Sequence, residues 1–133
     1  MKTILITGAT SGFGRAAARK FAEGGWRVVG TGRRAERLRE LQEELGEHFL
    51  PLEIDMRDKD AIAGLAKLDA PWGDIDLLLN NAGLAPPLAP LHEAEFEPLA
   101  QVIETNITGL VALTRKMLPG LIARRGAVIN ISS

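Results

Sequence analysis

Cysteine is missing from the 133 residues, which excludes a disulfide framework and any thiolate-ligated metal site. Histidine is scarce, and His48 and His92 stand too far apart in the sequence to suggest a catalytic metal centre. No run of 18 apolar residues exists, so no stretch reads as a membrane-spanning helix. The opening Met1-Lys2-Thr3-Ile4 enters an apolar run too short for the core of a secretion signal. A cytoplasmic protein without a membrane partner is the resulting expectation. An excess of either charge is also lacking: 16 basic residues meet 17 acidic ones, for a net charge of -1. The basic residues are scattered in runs no longer than two, among them Arg33–Arg34 and Arg124–Arg125, which argues against a nucleic-acid partner held by phosphate neutralisation. Tyrosine is absent altogether. What is present is 46% hydrophobic and 25% charged, the balance of a globular chain long enough for one domain with its own core.

Along the chain, short apolar runs alternate with longer amphipathic ones. Lys2–Thr7 reads as a buried strand ending in glycine, Gly8–Gly14 as a turn and Arg15–Glu23 as a helix stopped by Gly24-Gly25. Trp26–Thr31 is a second strand. Ala35–Leu45 is a helix with Leu38, Leu41 and Leu45 on one face, closed by Gly46. His48–Ile54 is a third strand, and its internal Pro51 favours a sheet edge. A helix over Lys59–Leu68, a loop at Pro71–Gly73, a strand over Asp76–Leu79 and a proline-rich loop from Gly83 to Pro90 follow. Phe96–Ala123 reads as one long helix, kinked or ended early at Pro119-Gly120, before a fifth strand at Ala127–Ile131. Strands alternating with helices of this length imply right-handed crossovers and a parallel sheet covered on both faces. The expectation is an α/β chain of Rossmann type, doubly wound, with residues 1–133 as a single dinucleotide-binding domain.

The first turn carries the chemistry. Gly8, Gly12 and Gly14 sit between a strand and a helix, the setting a dinucleotide fingerprint requires, although the spacing is G-x-x-x-G-x-G. Gly8 suits the tight turn, Gly12 leaves room for a pyrophosphate and Gly14 lets the helix pack close to the strand. Free N–H groups and the dipole at the helix start favour an anion, with Thr10 and Ser11 adding hydroxyl donors and Phe13 lying between the last two glycines. No lysine follows the last glycine, so this is not a P-loop. An NAD-preferring fold places an acid about 20 residues after the glycines. Here Gly32 stands 18 residues after Gly14, followed by Arg33 and Arg34. With no carboxylate to repel a 2′-phosphate and two guanidinium groups to hold it, the pattern favours NADP (NADPH). The alternative is that both arginines are the solvated start of the next helix.

Taken together, Thr7-Gly8-x-x-x-Gly12-x-Gly14, Asp55, Asn80-Asn81-Ala82-Gly83, Asn106 and Ile129-Asn130-Ile131-Ser132-Ser133 resemble the short-chain dehydrogenase/reductase family over the whole chain. The segment through Gly32-Arg33-Arg34-x-x-Arg37-Leu38 looks most like the bacterial NADP-dependent 3-hydroxy acid (serine) dehydrogenases. The resemblance implies an oxidoreductase that moves a hydride between nicotinamide and a small hydroxy or keto substrate. It implies that Asp55 accepts a hydrogen bond from the adenine amino group with help from the Met56 backbone. On propensity alone, the lesser alternative for Asp55 is a solvated loop carboxylate that caps the helix starting near Lys59. By the same resemblance Asn81, Ala82 and Gly83 line the ribose side of the cofactor. Asn106 binds a water in a proton relay, where propensity alone would leave it facing solvent. The resemblance also implies that Ser133 holds the substrate oxygen. Apolar residues on several faces of Phe96–Ala123 match the helix that the family uses to form dimers and tetramers.

The departure from the family is the Tyr-x-x-x-Lys pair, which family members carry beyond this serine and which these residues do not contain. A cofactor-binding fragment of a longer enzyme, truncated after the fifth strand, is the expectation. A non-catalytic nucleotide-binding module is the alternative. Positioned proton transfer contributes about 10²- to 10⁴-fold to a rate. The 133-residue chain should therefore show no turnover of NADPH with a panel of small hydroxy acids and ketones. A form extended through Tyr-x-x-x-Lys should turn over, and activity in the short form that Ser133→Ala removes would refute this.

Overall fold

The computed structural model describes residues 1–132. Five strands, β1 (Thr3–Ile6), β2 (Arg27–Gly32), β3 (Phe49–Glu53), β4 (Leu77–Asn80) and β5 (Ala127–Asn130), form one sheet in the order β3-β2-β1-β4-β5. Every pairing is parallel. Helices α1 (Gly12–Glu23), α2 (Ala35–Leu45), α3 (Lys59–Leu65), α4 (Phe96–Ile103) and α5 (Leu110–Ala123) make the connections. The order reverses between β1 and β4, and ligands bind at such a switch point in open α/β sheets.

The strands read as continuous apolar runs because both faces are covered. Successive side chains point to opposite faces. Leu5, Val29 and Leu78 therefore join Ile62 and Leu65 of α3 and Leu113, Met117 and Leu121 of α5 on one side. Ile4, Ile6, Val28, Leu77 and Leu79 join Ala18 of α1 and Leu38 and Leu41 of α2 on the other. Each such leucine or isoleucine contributes about 1.5–3 kcal/mol by leaving water. Pro51 of β3 pairs with Gly30 of β2, and β3 is an edge strand, as the missing proline N–H demands.

Several boundaries differ from expectation. Helix α1 begins at Gly12 rather than Arg15, and α3 stops at Leu65 rather than Leu68. The cap of α3 is Asp58, whose carboxylate accepts from the N–H groups of Asp60 and Ala61, both at 3.1 Å, so Asp55 does not cap it.

The larger correction concerns the helix expected over Phe96–Ala123. It is interrupted by a π-helical segment, Glu104–Gly109, and it does not end at Pro119-Gly120. Leu113, Met117 and Leu121, spaced four apart, are buried on both sides of Pro119, and this shared core carries α5 through the proline. The wide turn coincides with Gly109, where the helix presses on the loop after β3. A Cβ there would collide with the Met56 carbonyl oxygen and lie 3.2 Å from that of Glu104. Gly109→Ala should cost about 1–3 kcal/mol by this overpacking. A urea unfolding curve against Gly120→Ala, where a Cβ meets nothing, would test it; equal stabilities would refute the close approach.

Candidate functional site

The loops at the carboxyl ends of β1 and β4 are tied together by one side chain. Thr7, 1% exposed, turns its hydroxyl oxygen to accept from the backbone N–H groups of Asn81 and Ala82, both at 3.0 Å. Asn81 answers by donating its amide to the Gly8 carbonyl at 3.0 Å. Gly8 has a φ of +67°, and a Cβ there would lie 2.9 Å from the Ala82 Cα. A β-carbon at Gly14 would collide with the Gly8 carbonyl oxygen. Gly14 therefore lets the helix seat on the loop itself, rather than on the strand as expected. Gly12 differs: its φ is +55°, but a Cβ would meet nothing within 4 Å. Ser11 caps α1 with its side chain uncommitted to any capping bond. The start of α1 thus combines open space at the Gly12 Cα with an available Ser11 hydroxyl, and a helix start of this kind suits an anion.

Around this turn lies a cleft lined by Gly8, Thr10, Ser11, Thr31, Gly32, Arg33, Arg34, Ile54, Met56, Ala82, Gly83, Leu84 and Thr105. Of the residues expected at a cofactor site, Gly8, Thr10, Ser11, Arg33, Arg34, Met56, Ala82 and Gly83 line it. Gly12 and Gly14 shape the turn behind it. Phe13 is 76% exposed, and Asn81, whose side-chain amide bonds Gly8, is not among the lining residues. Asp55 stands between the lining residues Ile54 and Met56 without lining the cleft itself. Ser133 lies outside the described residues. Thr31, Ile54, Leu84 and Thr105 were not foreseen. The first two sit at the carboxyl ends of β2 and β3, where the switch-point rule would have found them. The other two depend on the π-helical turn, which leaves no mark in the sequence.

Two features set the electrostatics. Arg33 and Arg34 form no ion pair among the described residues. Asp55 is bound by Arg57, whose Nη2 donates to Oδ2 at 2.8 Å and whose Nε donates to Oδ1 at 3.1 Å. The Arg57 guanidinium holds the Asp55 carboxyl below the usual carboxylate range, against a smaller opposing effect of burial, with Arg33 adding a weaker pull. At Gly32, a Cβ would stand 2.9 Å from Thr10 Cγ2, so the position where NAD-preferring folds keep an acid has no room for one unless Thr10 moves.

The Asn106 side chain does not face solvent, where propensity alone would leave it. Its Oδ1 accepts from the Leu84 N–H at 2.8 Å and its Nδ2 donates to the Leu84 carbonyl at 2.9 Å. The π-helical turn therefore clamps the start of the proline-rich loop through a two-point amide pair.

Parallel order, switch-point cleft and glycine turn define a dinucleotide-binding α/β fold. A family model described as short chain dehydrogenase matches residues 2–133, and the chain belongs to that family. A probable NADP-dependent dehydrogenase of Haemophilus influenzae is 52% identical over 133 residues, covering 98% of this chain and 53% of the relative. The serine 3-dehydrogenase of Agrobacterium fabrum is 52% identical over 132 residues, with the same shares covered. Among solved structures, a closed form of serine dehydrogenase complexed with NADP+ superposes with a TM-score of 0.93 at 47% identity, over 98% of this chain and 54% of that one. The chain spans about half the length of the curated relatives it matches.

Replacing Asn106 by alanine should release Leu84 and cost about 1–3 kcal/mol, since both of its backbone groups lose a partner. Asn106→Asp should also destabilise, because a carboxylate would face the Leu84 carbonyl. Thermal unfolding together with hydrogen exchange at the Leu84 amide would register the change; unaltered protection in both variants would refute the clamp.

Proposed function

We propose that the cleft is the NADP site of a short-chain oxidoreductase, and that these residues form its cofactor-binding half. The observation that carries this reading is the pair Arg33 and Arg34, without ion pairs among the described residues, on a cleft where the neighbouring position is Gly32 and carries no acid. The residues suit the group. Gly12 and the start of α1 would take the pyrophosphate, with Thr10 and Ser11 supplying hydroxyl donors. Arg33 and Arg34 would hold the 2′-phosphate. Asp55 and Met56 would face the adenine, and Ala82 and Gly83 the ribose side. The cofactor, when bound, supplies a hydride from its nicotinamide ring.

This chain's part is to orient that ring and keep water from it. Asn106 holds the loop beyond β4 closed onto the π-helical turn, and Ser133 would hold the substrate oxygen by hydrogen bonding. The proton at that oxygen calls for a stronger acid or base than a serine hydroxyl near neutral pH. The relatives' names include NADP-dependent 3-hydroxy acid dehydrogenase from Salmonella typhi and serine 3-dehydrogenase, which supports a small hydroxy acid as the substrate class. Among the described residues no helix is long and apolar enough to cross a membrane, and we place the protein in the cytoplasm. Exposed Ile103, Ile107, Val111 and Ile122 along the α4–α5 stretch support a homodimer or homotetramer of the longer protein.

Fluorescence titration should show tighter binding of NADPH than of NADH. Arg33→Ala should weaken NADPH by about 1.5–3 kcal/mol, the worth of a charge-assisted hydrogen bond, while leaving NADH nearly unchanged. Gly12→Val should abolish both without altering circular dichroism, because its branched side chain would fill the anion's space at a positive φ. Equal affinities for the two cofactors in the unmodified protein would overturn the assignment of the arginines.

A further inference from the structure

The strap that joins β4 to α4 is held to the rest of the molecule at one place. Residues 85–93 are all exposed, and Leu88 and Leu91 keep their side chains in solvent, at 105% and 77% exposure, instead of on a core. Among the described residues, the hydrogen bonds that tie residues 84–93 to other elements are the two between Leu84 and Asn106. Those of Glu93 and Ala94 run back to Pro90 and Leu91, within the strap itself. Pro86, Pro87 and Pro90 have no N–H to anchor with, and their fixed φ keeps the strap stiff between its ends. The far end is held no more firmly. Helix α4 contributes no buried residue, whereas α5 buries Leu113, Met117 and Leu121. A segment with so few buried contacts opens locally while the core stays folded.

The near end of the strap lies on the cleft. Gly83 and Leu84 line it, and so does Thr105 of the π-helical turn. That turn buries Thr105 and Gly109 and turns the Asn106 amide onto Leu84. Because one side chain takes both backbone groups of Leu84, the tie is made or broken as a unit. We propose that residues 84–95 are a gate on the cleft, latched by Asn106, which opens as one piece for a dinucleotide to enter and leave. The inference rests on the reading of the cleft as a nucleotide site and adds to it a route of exchange. Two hydrogen bonds favour the latched form by roughly ten- to a hundredfold, so ligand passes through a minor open form. A gate leaves a different mark from a simple wall contact. Losing a contact speeds dissociation alone, whereas loosening a gate speeds association and dissociation together and leaves the equilibrium near where it was.

The test uses the full-length protein and NADPH. Stopped-flow fluorescence gives the two rates, calorimetry gives the equilibrium, and circular dichroism shows that each variant is folded at the working temperature. Asn106→Ala should raise both rates about tenfold while Kd stays within about threefold. Asn106→Asp keeps an acceptor for the Leu84 N–H and loses the donor to its carbonyl, so both rates should rise by an intermediate amount. Unchanged rates in both variants overturn the gate. A rise in dissociation alone also overturns it, because Asn106 then only supports the wall of the cleft. In either case the nucleotide reading stands. Failure of the unmodified protein to bind NADPH is the separate result that removes the nucleotide reading, and the gate falls with it.

Discussion

The site depends on the hydroxyl of Thr7. Buried at the end of the central strand, it accepts two consecutive backbone N–H groups from the loop after β4. In a parallel sheet, the loops at the strand ends have no ladder partners of their own, and buried N–H groups without partners are costly. Thr7 meets that need at the point where the winding reverses, and Asn81 returns a bond to Gly8. The glycine turn and the Asn81-Ala82-Gly83 loop therefore form one rigid piece, although 73 residues separate Gly8 from Asn81. The spacing between the glycine turn and the opposite wall of the cleft is set by this piece.

Much of the architecture was legible from the sequence because the signals were local. Continuous β-branched and leucine runs marked the strands, Gly24 and Gly46 marked helix ends, and Pro51 marked an edge. The glycine turn was legible for the same reason: three glycines within seven residues after a strand have few other uses. The π-helical segment was not legible. Over Glu104–Gly109 only Thr105 and Gly109 are buried, too few positions to separate a wide turn from an ordinary one. An early end at Pro119 does not occur because the buried Leu113, Met117 and Leu121 on either side of it outweigh its local propensity. The roles of Asn81 and Asn106 depend on partners that lie 73 and 22 residues away along the chain. Residue type could show that these amides need partners, but not which ones.

Charge is distributed with the same economy. The ionic contacts of α1 and α2 are made between Arg15, Arg19 and Glu44, on the surface where the two helices meet. That leaves Arg33 and Arg34, at the start of α2, to face the cleft. Cations at a helix start are disfavoured by its dipole, so their placement is a standing electrostatic cost that an anion in the cleft would relieve. The Asp55–Arg57 pair stands on the neighbouring strand end, neutral as a unit, and does not cancel that field.

The contact between Gly32 and Thr10 has a consequence for how such a protein could change over evolutionary time. An aspartate at position 32 alone would meet Thr10 before it met any ribose, and a smaller residue at position 10 alone would gain nothing. Each change is unfavourable or silent without the other, so the two positions are epistatic, in the sense that neighbouring residues show non-additive energies. An acid at position 32 is therefore eased by a smaller or displaced side chain at position 10, a coupling that comes from a single methyl group.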